Sequence, residues 1–350
     1  MMKCAQPMGL WRETVAELAA AEGADAAFVA GSRVVGLGNT SSDVDVYLVG
    51  PDLRESRRQL FVEGTRVDVK TLATEWLTSL VGRVLADYPA PDGSRVTDAD
   101  LTIAVRLLTA DIVTDTGCLT NQQQRLRASP LPLRRRIISS WTRIAYSAVE
   151  DVAGFRHSAD RLDLDAAITA GRRALLAAGK ALAAGCGDLH QGDKWVWHQL
   201  ARSAPVGFPL AEYRRLMHHD TSEGLGELIS LVQTSVVAAM TLGWWDVPLA
   251  HWPVWTDCGG PLRRAAYSLP CASDRETLIV VPGARVFRVP GETLLIWGLC
   301  HGSSPDRVAD AAAALGPLVK PWNTVTTRRC HAVLKELADA ALITGAHRED

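Results

Sequence analysis

The feature that most constrains this chain of 350 residues is a pair of aspartates, Asp43 and Asp45, at the spacing of a β-strand. They lie in the run Ser42-Asp43-Val44-Asp45-Val46-Tyr47-Leu48-Val49. Alternate side chains of a strand share a face, so both carboxylates point one way and the aliphatic side chains between them point to the core. Neighbouring carboxylates repel each other unless a cation lies close by. Mg²⁺ suits this role because it binds a few carboxylates together with substrate phosphates.

Two neighbouring runs extend this pattern. The apolar run from Ala26 to Ala30 ends in Gly31-Ser32, where backbone N–H groups and a hydroxyl can approach a phosphate. The alternating run from Arg66 to Leu72 carries Asp68, which joins the two aspartates if its strand pairs beside theirs. An isolated Asp-x-Asp is usually a solvated edge or turn. The combination instead predicts a two-metal site for phosphoryl transfer.

A family resemblance rests on the same residues. Gly31-Ser32-Arg33-Val34-Val35-Gly36, followed by Ser42-Asp43-Val44-Asp45, resembles the signature of the DNA polymerase β-type nucleotidyltransferases, which include antibiotic-type and minimal members. The resemblance covers residues from about Leu10 to about Leu72. It implies Asp43, Asp45 and Asp68 as catalytic ligands of two Mg²⁺ ions, with Asp68 as a candidate base for the acceptor hydroxyl. It also implies Gly31, Ser32 and Arg33 as binding residues for a nucleoside triphosphate (NTP), with ATP the expected co-substrate.

A second candidate for phosphate binding lies far along the chain, in Gly187-Asp188-Leu189-His190-Gln191-Gly192-Asp193-Lys194-Trp195. This run resembles the turn after the substrate-side helix of antibiotic-type nucleotidyltransferases. A lysine near a helix start can reach the triphosphate there, which makes Lys194 a binding candidate. The alternative is an ordinary exposed lysine, since lysines are mostly solvated.

Composition excludes several other classes of protein. Apolar residues make up 47% of the chain, charged residues make up 22%, and the net charge is −2, so a sizeable core is expected without an overall nucleic-acid footprint. The seven cysteines form no CxxC pair, which favours reduced thiols in a cytoplasmic protein. Neither a signal peptide nor an uninterrupted membrane span is expected. The sequence leaves open whether the chain forms a homodimer.

The C-terminal part has a different pattern from the rest. Two β-like runs, Glu276–Val281 and Ala284–Val289, meet at Pro282-Gly283, which signals a hairpin. Helices are predicted over Thr293–Leu299, Arg307–Leu315 and Thr327–Leu342. This order, with the turn Trp297-Gly298-Leu299-Cys300-His301-Gly302, is similar to PqqD-like domains, which bind leader peptides by adding a strand to a sheet edge. The alternative is a generic winged helix that packs or binds DNA.

The predicted fold class is α+β. It combines an N-terminal mixed-sheet nucleotidyltransferase domain (1–95), a helical acceptor domain (96–245), a Trp/Pro-rich linker (246–268) and a small winged-helix-like module (269–350). Helices are expected over Thr71–Asp87 and Leu101–Asp115, among others. The triplet Arg134-Arg135-Arg136 is interpreted as a solvated face, with contact to a polyanion as the alternative.

The sequence therefore predicts an Mg-dependent enzyme that transfers a nucleoside monophosphate (NMP) from an NTP to a small-molecule or peptide acceptor. Antibiotic modification or peptide natural-product biosynthesis, with a precursor peptide bound by the C-terminal module, would fit this activity. The alternative is a catalytically degenerate protein of the same fold that binds a leader peptide or another partner.

Overall fold

The computed structural model describes residues 9–89, 95–155, 158, 160–272, 277–281, 285–319, 322 and 325–345. The chain divides into two compact units. The chain up to Leu133 forms the first unit together with His190–Trp195, and Arg134–Leu189 forms the second together with the chain from Val196 onward. The four segments expected from the sequence are a different division of the chain and stay a prediction.

A five-stranded sheet organises the first unit. Its strands are β1 (Ala26–Ala30), β2 (Val44–Gly50), β3 (Ser56–Val62), β4 (Thr65–Ala73) and β5 (Asp111–Thr114). They are ordered β3-β4-β2-β1-β5. Strands β2 and β4 run parallel, and the other neighbouring strands run antiparallel, so the sheet is mixed as the sequence predicted.

Period-2 alternation sorts the side chains of this sheet onto two faces. On one face, Val44, Val46 and Leu48 of β2 form a buried apolar cluster with residues of β1, β4 and helix α1 (Gly9–Ala21). That helix contributes Trp11 and Val15, which are almost fully buried. Burial of this aliphatic layer leaves the opposite face of β2 and β4 to carry the polar residues.

The described part of the first unit also contains helices α2 (Thr74–Leu85) and α3 (Asp98–Leu108), which lie between β4 and β5, and α4 (Cys118–Ala128), which follows β5. The helix expected over Leu101–Asp115 is wrong in its second half, because Asp111–Thr114 forms strand β5 and pairs with β1. Its β-branched Ile112 and Val113 suit that pairing. Likewise Thr71–Ala73 completes β4, so the helix expected from Thr71 begins at Thr74.

The second unit is mainly helical. Its helices before the C-terminal part are α5 (Pro130–Phe155, of which the first turn belongs to the first unit), α6 (Arg161–Gly185), α7 (Val196–Ser203), α8 (Leu210–Met217) and α9 (Leu225–Thr241). In the described part of the chain, one helical stretch, Leu225–Trp245, is long and apolar enough to cross a membrane. Its most apolar window is 83% buried inside the protein, as in a core helix of a soluble protein.

The C-terminal part adds two small antiparallel sheets and three helices. Its strands are β6 (Leu262–Arg264), β7 (Leu269–Ala272), β8 (Thr277–Val281), β9 (Arg285–Arg288), β10 (His301–Ser303) and β11 (Ile343–Thr344). Its helices are α10 (Gly291–Leu299), α11 (Pro305–Leu315) and α12 (Thr327–Asp339). Pairing of β8 with β9 confirms the predicted hairpin, although its Pro282-Gly283 turn lies outside the described residues.

The arginine triplet on α5 packs within the second unit, so its interpretation as a solvated face is wrong. Arg134 forms an ion pair with Asp246, and Arg135 Nε donates to the carbonyl of Trp244 at 2.9 Å. Arg136 is 5% exposed. All six described cysteines are free thiols, as expected.

Candidate functional site

A tight turn joins β1 to the loop that leads to the aspartates. Gly31 adopts a left-handed φ of +94°, and the N–H groups of Leu37 and Gly38 both donate to the carbonyl of Ser32. A Cβ built on Gly31 would lie 2.4 Å from Asp45 Oδ2, a distance that real Cβ atoms essentially never show. Glycine is therefore required here both for its backbone conformation and for the close approach of a carboxylate.

Hydrogen bonds hold the loop between this turn and β2. Asn39 Oδ1 accepts from Ser41 N–H at 3.1 Å and from the hydroxyls of Ser41 and Ser42 at 2.9 and 3.1 Å. Arg33 donates to the carbonyls of Ser42 at 2.7 Å and Thr40 at 2.9 Å. The guanidinium of Arg33 thus fastens the loop that precedes Asp43.

Strand register brings the predicted carboxylates together. Asp45 of β2 pairs directly with Asp68 of the parallel strand β4, and Asp43 lies just before β2. All three line one cavity of about 240 Å³, together with Gly31 and Ser32.

Arg66, on the same strand face as Asp68, connects two of these carboxylates. Its Nη2 donates to Asp43 Oδ2 in a short contact, and its Nε lies 3.3 Å from Asp68 Oδ1. Burial by itself would raise the pKa of Asp43. The hydrogen bond and charge of Arg66, with the charge of Lys194, outweigh that effect and hold the pKa below its ordinary value.

Asp45 has a different counter-ion, Arg106 of α3. Arg106 Nη1 lies 3.0 Å from Asp45 Oδ1 and also donates to the phenol oxygen of Tyr47. Asp45 is only 7% exposed, and burial raises its pKa despite the opposing charges of Arg106 and Lys70. The ionised form of Asp45 is therefore unfavourable in the folded protein, and a bound cation would stabilise it.

Arg106 is positioned by the ends of its helix. Thr97 caps α3 through a capping box with Asp100. Beyond the other end, Gln123 of α4 donates to the carbonyls of Leu107 at 3.0 Å and Ala110 at 3.1 Å.

Lys70 and Tyr47 continue the polar face past the carboxylates. They pair across β2 and β4, and Lys70 Nζ lies 3.3 Å from Tyr47 Oη. Burial lowers the pKa of Lys70 and raises that of Tyr47 to about 12, so the phenol keeps its proton at neutral pH. Lys70 lines the same cavity as the aspartates.

The segment His190–Trp195 supplies part of the cavity lining. His190, Gly192, Lys194 and Trp195 all line the cavity. The backbone N–H of Lys194 donates to Asp193 Oδ1 at 2.8 Å, and Nζ lies 5.3 Å from the ring centre of Trp195. Lys194 is distant from the aspartates in sequence, and the fold brings it to their cavity because this short segment belongs to the first unit.

The donor set of the cavity suits a hard divalent cation. Three carboxylates share it, and Asp68 Oδ1 is buried and accepts no hydrogen bond. Within the described residues, however, no three His, Cys, Asp or Glu side chains are grouped as around a metal ion. The guanidinium of Arg66 lies between Asp43 and Asp68 and forms an ion pair with each. The three carboxylates nevertheless offer the oxygen ligands that a hard divalent cation prefers.

The fold thus brings five predicted site residues, Gly31, Ser32, Asp43, Asp45 and Asp68, to one cavity with Lys194, while Arg33 binds the adjoining loop. Sequence reasoning missed the basic and phenolic residues of the site, Tyr47, Arg66, Lys70 and Arg106. Strand alternation around Asp45 and Asp68 could have indicated the first three. No local signal marks Arg106, which arrives on a separate helix.

Comparisons with known proteins add little to this geometry. No protein-family model and no curated protein matches the chain. Nine chains of solved structures match it. One is a nucleotidyltransferase-like protein from Exiguobacterium sibiricum 255-15, with 16% identity over 66% of this chain and 77% of that chain and a TM-score of 0.36. Because so low a TM-score does not establish a shared fold, the function is inferred from the residues of the cavity.

Proposed function

We propose that the protein is a nucleotidyltransferase that transfers an NMP group from an NTP to an acceptor hydroxyl. The observation that carries this proposal is the meeting of Asp43, Asp45 and Asp68 with the Gly31-Ser32 turn in one cavity. A cavity lined by both carboxylates and phosphate-binding groups suits phosphoryl transfer better than acyl or hydride transfer.

In this reaction the acceptor oxygen forms a bond to the α-phosphorus of the NTP. The bond from that phosphorus to the oxygen bridging to the β-phosphorus breaks, and pyrophosphate leaves. Asp68, whose Oδ1 has no hydrogen-bond donor, takes the proton of the acceptor hydroxyl. Ser32 and Lys194 bind the phosphate oxygens.

Mg²⁺ ions held by Asp43, Asp45 and Asp68 supply, when bound, positive charge to the phosphate oxygens. Arg106 fixes the carboxylate of Asp45, and its positive charge opposes the rise in pKa that burial causes. Tyr47 in turn orients Arg106, since its phenol oxygen accepts from the guanidinium. These contacts hold the ligand oxygens in place before substrate arrives.

The direct test follows pyrophosphate release with Mg²⁺, each NTP and candidate hydroxyl acceptors. Asp45→Asn and Asp68→Asn should each lower turnover by at least about 100-fold, as expected for loss of a ligand or base. Asp111→Asn is the matched control and should keep full turnover. Asp111 does not line the cavity, and its carboxylate lies 2.6 Å from Arg12 Nη1. Full activity in Asp45→Asn would exclude this mechanism.

A second candidate is a degenerate member of this fold that binds a partner without catalysis. The observation that favours it is the pairing of all three carboxylates with arginines, Asp43 and Asp68 with Arg66 and Asp45 with Arg106. The two candidates differ in metal binding. An enzyme should bind Mn²⁺ in an Asp45-dependent manner, whereas a degenerate protein should not bind it at all.

For the acceptor we propose a small-molecule or peptide hydroxyl, with the C-terminal PqqD-like part as the peptide-binding element. Its support is the β8–β9 hairpin, in which β9 is an edge strand and Val286 is 59% exposed. Val286→Glu should weaken binding of fluorescently labelled candidate leader peptides, measured by fluorescence anisotropy. Unchanged binding would exclude β9 as the peptide site.

A further inference from the structure

Arg66 occupies the position that a bridging cation would take between Asp43 and Asp68. Its Nη2 contacts Asp43 Oδ2 and lies 3.4 Å from Asp68 Oδ2, while its Nε lies 3.3 Å from Asp68 Oδ1. One guanidinium thus satisfies carboxylates that belong to two different segments of the chain.

A divalent cation and this guanidinium compete for the same oxygens. Both are held by the negative charge of Asp43 and Asp68, and a Mg²⁺ ion brought close to Arg66 would also repel it. Binding of the metal at Asp43 therefore requires that Arg66 leave that carboxylate. The Arg66 side chain is 47% exposed, so it is not enclosed in the protein core.

A second cavity of about 220 Å³ is lined by Ser41, Asp43, Arg66 and Lys194. When a cation neutralises Asp43, the remaining groups of this lining are two cations and a serine. That composition suits the terminal phosphates of a polyphosphate chain.

We infer that Arg66 is a substrate-binding residue that exchanges partners, from Asp43 and Asp68 in the ion-free protein to the terminal phosphates of the metal-bound NTP. The exchange couples metal and polyphosphate binding, because each ligand removes a competitor of the other. This inference rests on the proposed function, since it requires a metal and a polyphosphate at the cavity.

The test measures binding of Mn²⁺ alone and of tripolyphosphate alone, without turnover. Arg66→Met keeps the length of the side chain but removes its charge. We expect it to bind Mn²⁺ about five- to tenfold more tightly than the wild type does, because the competing cation is gone. In EDTA we expect it to bind tripolyphosphate several-fold more weakly.

Two further variants control this experiment. Arg66→Lys keeps the charge and should leave Mn²⁺ binding close to wild type. Arg58→Met removes an arginine of β3 that binds Glu22 at 2.7 Å, and it should change neither affinity.

The outcomes separate this inference from the function on which it rests. If Arg66→Met and the wild type bind Mn²⁺ equally, the exchange is excluded, while NTP turnover by the wild type would leave the proposed function standing. If neither protein binds Mn²⁺, both the proposed function and the exchange fail.

Discussion

Asp43 and Asp45 lie two residues apart, but their pKa values are shifted in opposite directions. The pKa of Asp43 is lowered through Arg66 and that of Asp45 is raised by burial, although both belong to the same cluster. Charged Asp43 therefore stabilises the fold, whereas charged Asp45 destabilises it. Fold stability therefore gives no reason for a carboxylate at position 45, whereas the proposed cation site does.

This contrast gives a prediction at neutral pH. Asp43→Asn should lower the free energy of unfolding and Asp45→Asn should raise it, each by up to about 1 kcal/mol. The amide oxygen of the asparagine introduced by Asp45→Asn can still accept from Arg106, so no buried donor is left unpaired. Chemical denaturation at pH 7 measures both changes, and changes of the same sign would contradict the assignment.

The pH dependence follows from the signs of the two shifts. Charged Asp43 contributes stability above its ordinary pKa of 3.8, and this contribution is lost as pH falls through its lowered value. The cost of charged Asp45 instead grows as pH rises from 3.8 through its raised value. The advantage of Asp45→Asn should therefore disappear below about pH 4, in denaturation curves collected from pH 3 to 7.

At the scale of elements, the turn after β1 couples fold to chemistry. Gly31→Ala places a methyl group 2.4 Å from Asp45 Oδ2 and strains a left-handed residue, so it should abolish turnover and destabilise the fold by about 2 kcal/mol or more. Gly36→Ala is the matched control. Gly36 is also left-handed, with φ of +71°, but has no neighbour within 4 Å of the added methyl. It should cost about 1 kcal/mol and keep turnover.

Sequence reasoning reached those elements whose signals are local. Strand β2 with Asp45, the Gly31-Ser32 turn and the hairpin of β8 and β9 all follow from alternation and glycine placement over a few residues. Asp43, which the alternation also placed in the strand, lies just before it. Strand β5 was missed because Ile112 and Val113 also fit the apolar spacing of the preceding helix, and only pairing with β1 decides between the two. Arg106 was missed for a related reason, since its contact with Asp45 depends on how α3 packs.

At the scale of the whole molecule, the C-terminal elements of the second unit share a core with helix α9. Gln233 of α9 donates to the carbonyl of Ser268 at 2.7 Å, and Arg264 of β6 donates to Thr234 Oγ1 at the same distance. Arg264 is buried, and burial lowers its pKa to about 9. These contacts predict that α9 and the C-terminal elements unfold together.

Gly298 provides the test of this shared core. A methyl group there would lie 2.6 Å from Val237 Cγ2 and 3.0 Å from Trp252, so Gly298→Ala should destabilise the second unit by about 1–3 kcal/mol. Gly82→Ala, in an exposed position of α2 without a neighbour within 4 Å, should instead stabilise the protein by about 0.5–1 kcal/mol. In Gly298→Ala, amide hydrogen exchange should accelerate in both α9 and α10. Acceleration in α10 alone would argue against a shared core.

The burial of Leu225–Trp245 has a consequence for how the protein is made. This stretch of 21 residues is synthesised before β6, β7 and α10, whose side chains cover part of it in the finished fold. While translation continues, this apolar helix of membrane-spanning length therefore lacks the part of its packing that these later elements provide. We expect the nascent chain to be a client of cotranslational chaperones, and chains truncated near residue 260 to aggregate or associate with membranes.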